Sequence, residues 1–324
     1  MPTPEPRAAS SFAVSDTSGE RRGGLSRARR RWLTLAGGHV HCKPPDPGKR
    51  VLRFGTSGIP LSSRKPGTVH GIRRARELGL DHLEMAWVNG VKMGDAAADA
   101  IAAAATACDL TLTAHAPFFV NLCGAPDVVE RSRSRLVETA RLGARCGAQS
   151  FCFHAAFYGR LEHAEADSRI RAELTQVVKD VKAIPARIDV RTELTGKPSQ
   201  AGSLTELLGW AQAVPGVLPC IDFSHQYARE QGRHNTYEEF AATLSAIETA
   251  LGRAALERLH IHISGIQYGP KGERKHEPLV ETKFAWKQLL RALKDMRVSG
   301  WAVAESPAME DDALLLQKTY RRMK

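Results

Sequence analysis

From residue 51 onward, short apolar runs alternate with longer stretches whose apolar positions recur every three or four residues. Short runs rich in Val, Ile, Leu and Phe are typical of buried strands, and the longer periodic stretches are typical of amphipathic helices. The predicted strands are 51–55, 82–87, 110–116, 150–155, 188–194, 217–223, 258–264 and 301–306. The predicted helices lie near 67–78, 94–107, 126–146, 166–183, 203–213, 236–251, 281–294 and 309–323.

The order of these elements is strand then helix, repeated eight times. Strands that alternate with helices predict a parallel sheet with right-handed crossovers. Eight such units in roughly 270 residues match the expected length of a closed (β/α)8 TIM barrel. An open doubly wound sheet is the alternative, but it more often carries a Gly-rich phosphate loop after its first strand, and "FGTSGIP" is not GxGxxG.

The first 50 residues differ in charge and texture from the rest. They carry ten Lys and Arg against four Asp and Glu, which leaves 36 against 31 for the remainder. No apolar pattern is sustained there, so we predict a disordered basic N-terminal arm, residues 1–48, followed by one barrel domain, residues 49–324. A solvated extension and a basic arm that attracts phosphates both explain this composition. A secretory signal is disfavoured because no apolar h-region follows the arginines.

Cysteine usage and hydropathy bound the class of protein. The six cysteines form no CxxC pair and no regular framework, which is typical of reduced thiols and argues against metal ligation by cysteine. No apolar run approaches the roughly 18 residues that a membrane span requires. We therefore expect an intracellular, cytoplasmic protein that does not contact membranes.

Candidate catalytic and metal-binding residues lie at the predicted strand ends, where a barrel would bring them together. Five of the predicted strands end in, or just before, a histidine or a carboxylate, and the seventh contains a histidine; these residues are His115, His154, Glu193, Asp222, His260 and Glu305. Catalytic residues of TIM barrels lie at the C-terminal ends of the strands, so these side chains are predicted to converge on one rim. Mixed nitrogen and oxygen ligands suit Zn²⁺ or Mn²⁺, and more than four of them indicate more than one ion.

A pair of ions suits phosphoester hydrolysis, because one ion generates hydroxide from water while the other stabilises the leaving oxygen. A carboxylate such as Glu193 can bridge two ions. The residues alone thus favour a multinuclear hydrolase.

Seven motifs support a resemblance to a known family. They are "TAHAPFFVNL", "FHA", "TELTGK", "PCIDFSHQYA", "LHIHISG", "KGERKH" and "VAES". From about residue 51 to the C-terminus the chain resembles endonuclease IV, the trinuclear-zinc apurinic/apyrimidinic endonuclease family, and in detail its archaeal-type branch. The resemblance implies hydrolysis of the phosphodiester 5′ to an abasic site in double-stranded DNA by a metal-bound hydroxide, leaving a 3′-hydroxyl and a 5′-deoxyribose phosphate. It implies a nucleoid-associated enzyme, expected to be a monomer, with two to three Zn²⁺ ions, Mn²⁺ being an alternative.

The resemblance also implies a ligand set. His115, His154 and Glu193 would hold the first ion, and Glu193 would also serve as the catalytic bridging carboxylate. The second ion would be held by Glu193, Asp222, His260 and Glu305. His225 and His276 would hold the third, for which the family usually adds an aspartate two residues before the last histidine. This chain has Arg274 there, and Glu273 is the nearest carboxylate.

Substrate contacts are predicted in two loops. The family carries an arginine-containing loop after the second strand that penetrates the DNA stack, whereas this chain reads "WVNGVKMG". Lys92 is the candidate for a phosphate contact there and Asn89 for a base edge. Phe118 occupies a position where the family has an aromatic residue, and could stack on an exposed base or sugar.

A different class of function shares the same barrel. Sugar isomerases and epimerases of the xylose-isomerase-like superfamily also resemble this chain, and bind one Mn²⁺ or Mg²⁺ through a set that here would be Glu193, Asp222, His260 and Glu305. These four residues do not discriminate between the classes, whereas the additional histidines favour the nuclease. A non-catalytic DNA- or partner-binding barrel is a third alternative, disfavoured by the retained central ligands.

Two further residues are left out of the predicted site. His262 shares a strand face with His260, and the pattern is equally consistent with a residue that supports the ligands and with a packed core histidine, so it is left out of the ligand set. Glu84, in the second strand, is interpreted as a hydrogen-bonding residue of the barrel mouth.

Overall fold

The computed structural model describes residues 51–324, and the predicted arm, residues 1–48, lies outside them. The strands in chain order are β1 Leu52–Ser57, β2 His82–Ala86, β3 Thr111–His115, β4 Ala148–Phe153, β5 Ala156–Phe157, β6 Asp189–Glu193, β7 Gln200–Ala201, β8 Val217–Asp222, β9 Leu259–Ile263, β10 Gly265–Gly269, β11 Gly272–Glu277 and β12 Gly300–Ala304. The helices are α1 Thr68–Glu77, α2 Asp95–Cys108, α3 Pro126–Arg145, α4 His163–Lys182, α5 Leu204–Ala213, α6 Phe223–Arg229, α7 Tyr237–Leu251, α8 Arg253–Leu256, α9 Trp286–Asp295 and α10 Glu310–Arg322.

Eight strands close into a parallel barrel in the order β1-β12-β9-β8-β6-β4-β3-β2, and helices connect successive strands. The predicted TIM barrel is therefore confirmed. Strand β9 is buried at all five positions, as expected for a parallel strand covered on both faces. Helices α5 and α7 each begin with a capping box, Ser203 with Glu206 and Thr236 with Glu239, which satisfies their first free amides.

Two small antiparallel strand pairs and a short helix depart from the simple strand–helix alternation. Strand β5 pairs with β7, and β10 pairs with β11, in two small antiparallel sheets outside the barrel. Helix α6 begins directly after β8, and its N-cap is Asp222, whose carboxylate accepts a hydrogen bond from the amide of His225 at 2.7 Å. The residues that end the sixth barrel strand thus already start a helix.

A buried arginine occupies the opposite, N-terminal part of the barrel interior. The guanidinium of Arg191 donates hydrogen bonds to the carbonyls of Pro219, at 2.9 Å, and Arg258, at 2.8 Å, and lies 3.2 Å from the carboxylate of Asp189. Its side chain is only 2% exposed. Because these carbonyls belong to or border β8 and β9, Arg191 ties β6 to two neighbouring strands.

We expect Arg191→Met to lower the free energy of unfolding by about 2 kcal/mol, because charge-assisted hydrogen bonds to two buried carbonyls are lost. Arg74→Met is the matched control, since Arg74 makes an exposed ion pair with Glu77 and its loss should cost at most about 1 kcal/mol. Urea unfolding of both variants measures the difference. Equal stability of the two variants would contradict the role given to Arg191.

The structure describes no helix in residues 51–324 with the length and apolar character needed to cross a membrane.

Candidate metal centre

The carboxylate of Glu193, at the C-terminal end of β6, is the hub of the rim. Its Oε2 lies 2.8 Å from Nε2 of His115. Its Oε1 lies 3.4 Å from Nε2 of His154, 3.2 Å from Nδ1 of His262 and 3.5 Å from Nδ1 of His225. Glu193 is fully buried, so its charge depends on these four imidazoles for compensation.

A second group of ligand atoms shares Glu193. The atoms of Glu193, Asp222, His262 and Glu305 that could ligate a metal lie within 4.8 Å of one another. Nδ1 of His262 lies 3.3 Å from Oε2 of Glu305. Oδ2 of Asp222 is buried and has no hydrogen-bond partner in the described residues, although Nδ1 of His225 lies 3.3 Å away. That nitrogen donates instead to the carbonyl of Leu194, at 3.0 Å.

His260 does not take part in this second group, and His262 stands in its place. Both residues face the barrel interior, but His262 is closer to the C-terminal end of β9 and therefore reaches the rim. Nε2 of His260 lies 2.8 Å from Glu84, and its Nδ1 lies 3.3 Å from Ser150. From the sequence, His260 is predicted beside Glu305, whereas the structure brings His262, two residues further along β9, to that position.

A third group lies at the outer edge of the rim. Nε2 of His225 lies 3.2 Å from Nε2 of His276, and the Glu273 carboxylate lies 3.7 Å from the first ring and 3.9 Å from the second. Two residues three apart normally point to opposite faces of a strand. A β-bulge between β10 and β11 makes Arg274 an extra residue, because Gln267 pairs with Lys275 and Tyr268 pairs with Glu273. The bulge returns Glu273 and His276 to the same face.

Two close backbone contacts hold this hairpin against the loop after β6. The amide of Glu273 donates to the carbonyl of Gly196 at 2.9 Å. A Cβ on Gly196 would lie 2.7 Å from Cβ of Glu273, and a Cβ on Gly272 would lie 2.3 Å from the carbonyl oxygen of Gly196. Gly272 also has a φ of +86°, which glycine adopts most readily. Glycine at these two positions therefore lets Glu273 approach His225.

Ring nitrogens of three rim histidines are oriented by the main chain. In each, Nδ1 hydrogen-bonds a backbone carbonyl and Nε2 faces the rim. His115 bonds the carbonyl of Ala116 at 2.7 Å, His225 that of Leu194 at 3.0 Å and His276 that of Glu305 at 2.9 Å.

The charges at the rim shift the proton affinities of these groups strongly. Burial opposes protonation of His115 and His225, but the carboxylates of Glu193 and Asp222, respectively, outweigh it and raise the pKa of His115 to about 10 and that of His225 to about 9. Burial likewise opposes ionisation of Glu305, but His262 lowers the pKa of Glu305 to about 2. In the metal-free protein, protons thus take the place of bound cations between imidazoles and carboxylates.

The residues of the rim fit divalent metal ions. Burial raises the pKa of Asp222, and its free buried oxygen lacks the donor or cation that would compensate its charge. Imidazole nitrogens and carboxylate oxygens, which make up most of the possible ligand atoms at the rim, are donors that suit Zn²⁺ or Mn²⁺. Neighbouring groups of possible ligand atoms offer room for more than one ion; among them are Glu193, Asp222, His262 and Glu305; His154, Glu193 and His225; and Asp222, His225 and His276.

The predicted substrate-binding residues lie in loops on the same side of the barrel. Phe118 follows β3, is 50% exposed, and its ring centroid lies 4.5 Å from that of Phe119. Its amide donates to the carbonyl of Val88 at 3.3 Å, next to the exposed Asn89. Lys92 is exposed in the same β2–α2 loop. The structure thus brings the Phe118 and Asn89 segments together.

Fold and rim together define a TIM barrel with a cluster of metal-ligand residue types at the C-terminal ends of its strands. The chain belongs to the xylose isomerase-like TIM barrel family, which matches residues 72–324. It is 36% identical over 274 residues to an uncharacterized protein of Methanocaldococcus jannaschii, an alignment that covers 84% of this chain and 98% of that protein.

Two solved structures illustrate the functional range of the fold. Endonuclease IV from Thermus thermophilus is similar with a TM-score of 0.64 and 21% identity, over 83% of this chain and 97% of that one. A D-tagatose 3-epimerase-like protein is similar with a TM-score of 0.63 and 14% identity, over 83% and 96%. At these identities the likeness establishes the fold alone, so the choice of function depends on the rim residues.

Replacement of the two histidines of β9 should separate their roles. We expect His262→Asn to lower bound Zn²⁺ by about one ion per chain, because a ligand of the second group is lost. His260→Asn removes no ligand of this group and should lower the ion count less than His262→Asn does, whereas His163→Asn, an exposed change at the start of α4, is the matched control and should leave the count unchanged. Elemental analysis of dialysed protein measures all three. Loss of an ion in His260→Asn, but not in His262→Asn, would instead support His260 as the metal ligand, as predicted from the sequence.

Proposed function

We propose that this protein is a metal-dependent DNA-repair endonuclease that hydrolyses the phosphodiester 5′ to abasic sites, giving a 3′-hydroxyl and a 5′-deoxyribose phosphate. It would hold two to three divalent ions, Zn²⁺ or Mn²⁺. The first site is His115, His154 and Glu193; the second is Glu193, Asp222, His262 and Glu305; the third is His225, Glu273 and His276.

The observation that carries this proposal is the third group. An isomerase or epimerase that uses one ion requires the second group alone. Such an enzyme does not need the β-bulge at Arg274, which turns Glu273 toward His225 and His276, at 3.7 and 3.9 Å. Several ions around a shared carboxylate suit a substrate whose reacting centre is itself an anionic phosphate.

Within this site the protein's own residues position and compensate charge. Divalent ions, when bound, supply Lewis acidity that neutralises phosphate charge and activates water. Glu193 is held rigidly by four imidazoles, so the groups on either side of it keep a fixed separation. Asp222 contributes a buried oxygen free of hydrogen bonds, and its other oxygen anchors α6 and therefore His225.

The surface around the rim supports a large substrate with aromatic and anionic parts. Among residues 51–324, the strongly exposed large apolar side chains all lie in segments that follow the C-terminal ends of barrel strands; they are Leu61, Phe118, Phe119, Phe157 and Val280. Exposed Lys92, Lys271 and Lys275 lie in the same set of loops. Aromatic rings that stack on bases and lysines that contact phosphates are the usual means of binding unpaired nucleotides.

A duplex with one tetrahydrofuran abasic analogue tests the activity directly. We expect Zn²⁺- or Mn²⁺-loaded protein to nick the strand 5′ to the analogue, and Glu193→Gln to reduce the rate by at least roughly 10³-fold, because the shared ligand is lost. Denaturing gel electrophoresis of an end-labelled strand measures the rate and identifies the ends.

Glu238→Gln, an exposed change in the first turn of α7, is the matched control and should retain the wild-type rate. A ketohexose is assayed in parallel for epimerisation. Epimerisation without nicking, in protein that holds one ion per chain, would overturn the proposal in favour of the sugar enzymes.

A further inference from the structure

His262 is oriented differently from the three rim histidines whose rings hydrogen-bond the main chain. In His115, His225 and His276 a main-chain carbonyl accepts from Nδ1, and Nε2 faces the rim. In His262 the ring is reversed: Nδ1 faces Glu193 at 3.2 Å, and Nε2 lies 3.1 Å from Oε1 of Glu84. The partner that fixes the ring of His262 is thus a side chain, which a single substitution can change.

Glu84 is itself held by the layer below the rim. Its Oε2 accepts hydrogen bonds from the hydroxyl of Thr113, at 2.9 Å, and from Nε2 of His260, at 2.8 Å. Its side chain is fully buried. Because Thr113 and His260 bond Oε2, Oε1 is left to Nε2 of His262, at 3.1 Å, and to the more distant hydroxyl of Ser57, at 3.5 Å.

We propose that Glu84 is a positioning residue of the metal centre: it accepts the Nε2–H of His262 and thereby keeps Nδ1 of that ring unprotonated and directed at the ion shared with Glu193 and Glu305. Carboxylates that accept from the far nitrogen of a ligating imidazole fix its tautomer and orientation. This inference rests on the metal centre of the proposed function and is independent of the substrate. It also gives His260 a role, since His260 helps to hold Glu84 in place.

A rival interpretation places an ion within this lower layer. The possible ligand atoms of Cys152, Cys220, His260 and His262 lie within 4.8 Å of one another, and all four residues are buried. The geometry favours Glu84 instead. Nε2 of His262 is 3.1 Å from Oε1 of Glu84 but 3.8 Å from Sγ of Cys152.

The test replaces the carboxylate by its amide. We expect Glu84→Gln to weaken Zn²⁺ binding by roughly 10–100-fold, because the amide has a single acceptor oxygen and no charge. Competition with a chromophoric chelator measures the affinity with Zn²⁺ alone. Glu310→Gln is the matched control, because Glu310 is also buried and accepts from the amides of Leu61 and Ser62, and it should retain the wild-type affinity.

A second measurement reads the tautomer itself. In ¹⁵N-histidine-labelled, Zn²⁺-loaded wild-type protein, the ring of His262 should be protonated at Nε2, and this signal should change in Glu84→Gln. If Glu84→Gln does not fold, Glu84→Asp provides the same test with an intact carboxylate, displaced by one methylene, and intermediate affinity is expected.

Three results would overturn the inference. They are an unchanged Zn²⁺ affinity in a folded Glu84 variant, a His262 ring unprotonated at Nε2 in the wild type, and a loss of bound Zn²⁺ in the Cys152→Ser/Cys220→Ser double variant, which would favour the rival site. A wild-type protein that binds no Zn²⁺ would instead contradict the metal centre of the proposed function, so the two failures are distinguishable.

Discussion

The ionised carboxylate of Glu193, buried at the end of β6, is the constraint on which the rest of the rim depends. An unpaired charge at such a position would cost several kcal/mol. Four imidazoles from β3, the segment after β4, α6 and β9 surround it, and those of His115, His225 and His262 are oriented by further hydrogen-bond partners. Protons between the groups compensate these charges, and under the proposed function divalent cations would replace those protons.

The period of two along a strand organises the barrel interior into layers. Glu193, Asp222 and His262 belong to the upper layer. Glu84 and His260 lie in the layer beneath, where they bond each other, and Glu84 also bonds His262 in the layer above. The lower layer is polar as well as buried, which is unusual unless its polar groups form hydrogen bonds with one another. A supporting layer of this kind restricts the rotation of the residues above it.

The barrel was predictable from the sequence because eight apolar runs at regular spacing are compatible with few other folds. At the rim, the sequence did not decide which histidine of β9 takes part, because His260 and His262 share a face and the pattern does not say where β9 ends. The rule that functional residues lie at C-terminal strand ends already favoured His262. The role of Glu273 depended on a bulge, which a three-residue spacing alone does not reveal. The β5–β7 pair and the β10–β11 hairpin were likewise missed, because short antiparallel pairs leave little periodicity.

A crystal structure that records anomalous scattering at the zinc absorption edge tests the central claim most directly. The account predicts two or three zinc positions grouped around Glu193, one of them bonded to Nδ1 of His262 and another between His225 and His276. A single position bonded to one carboxylate–histidine set, with none near His276, would contradict it.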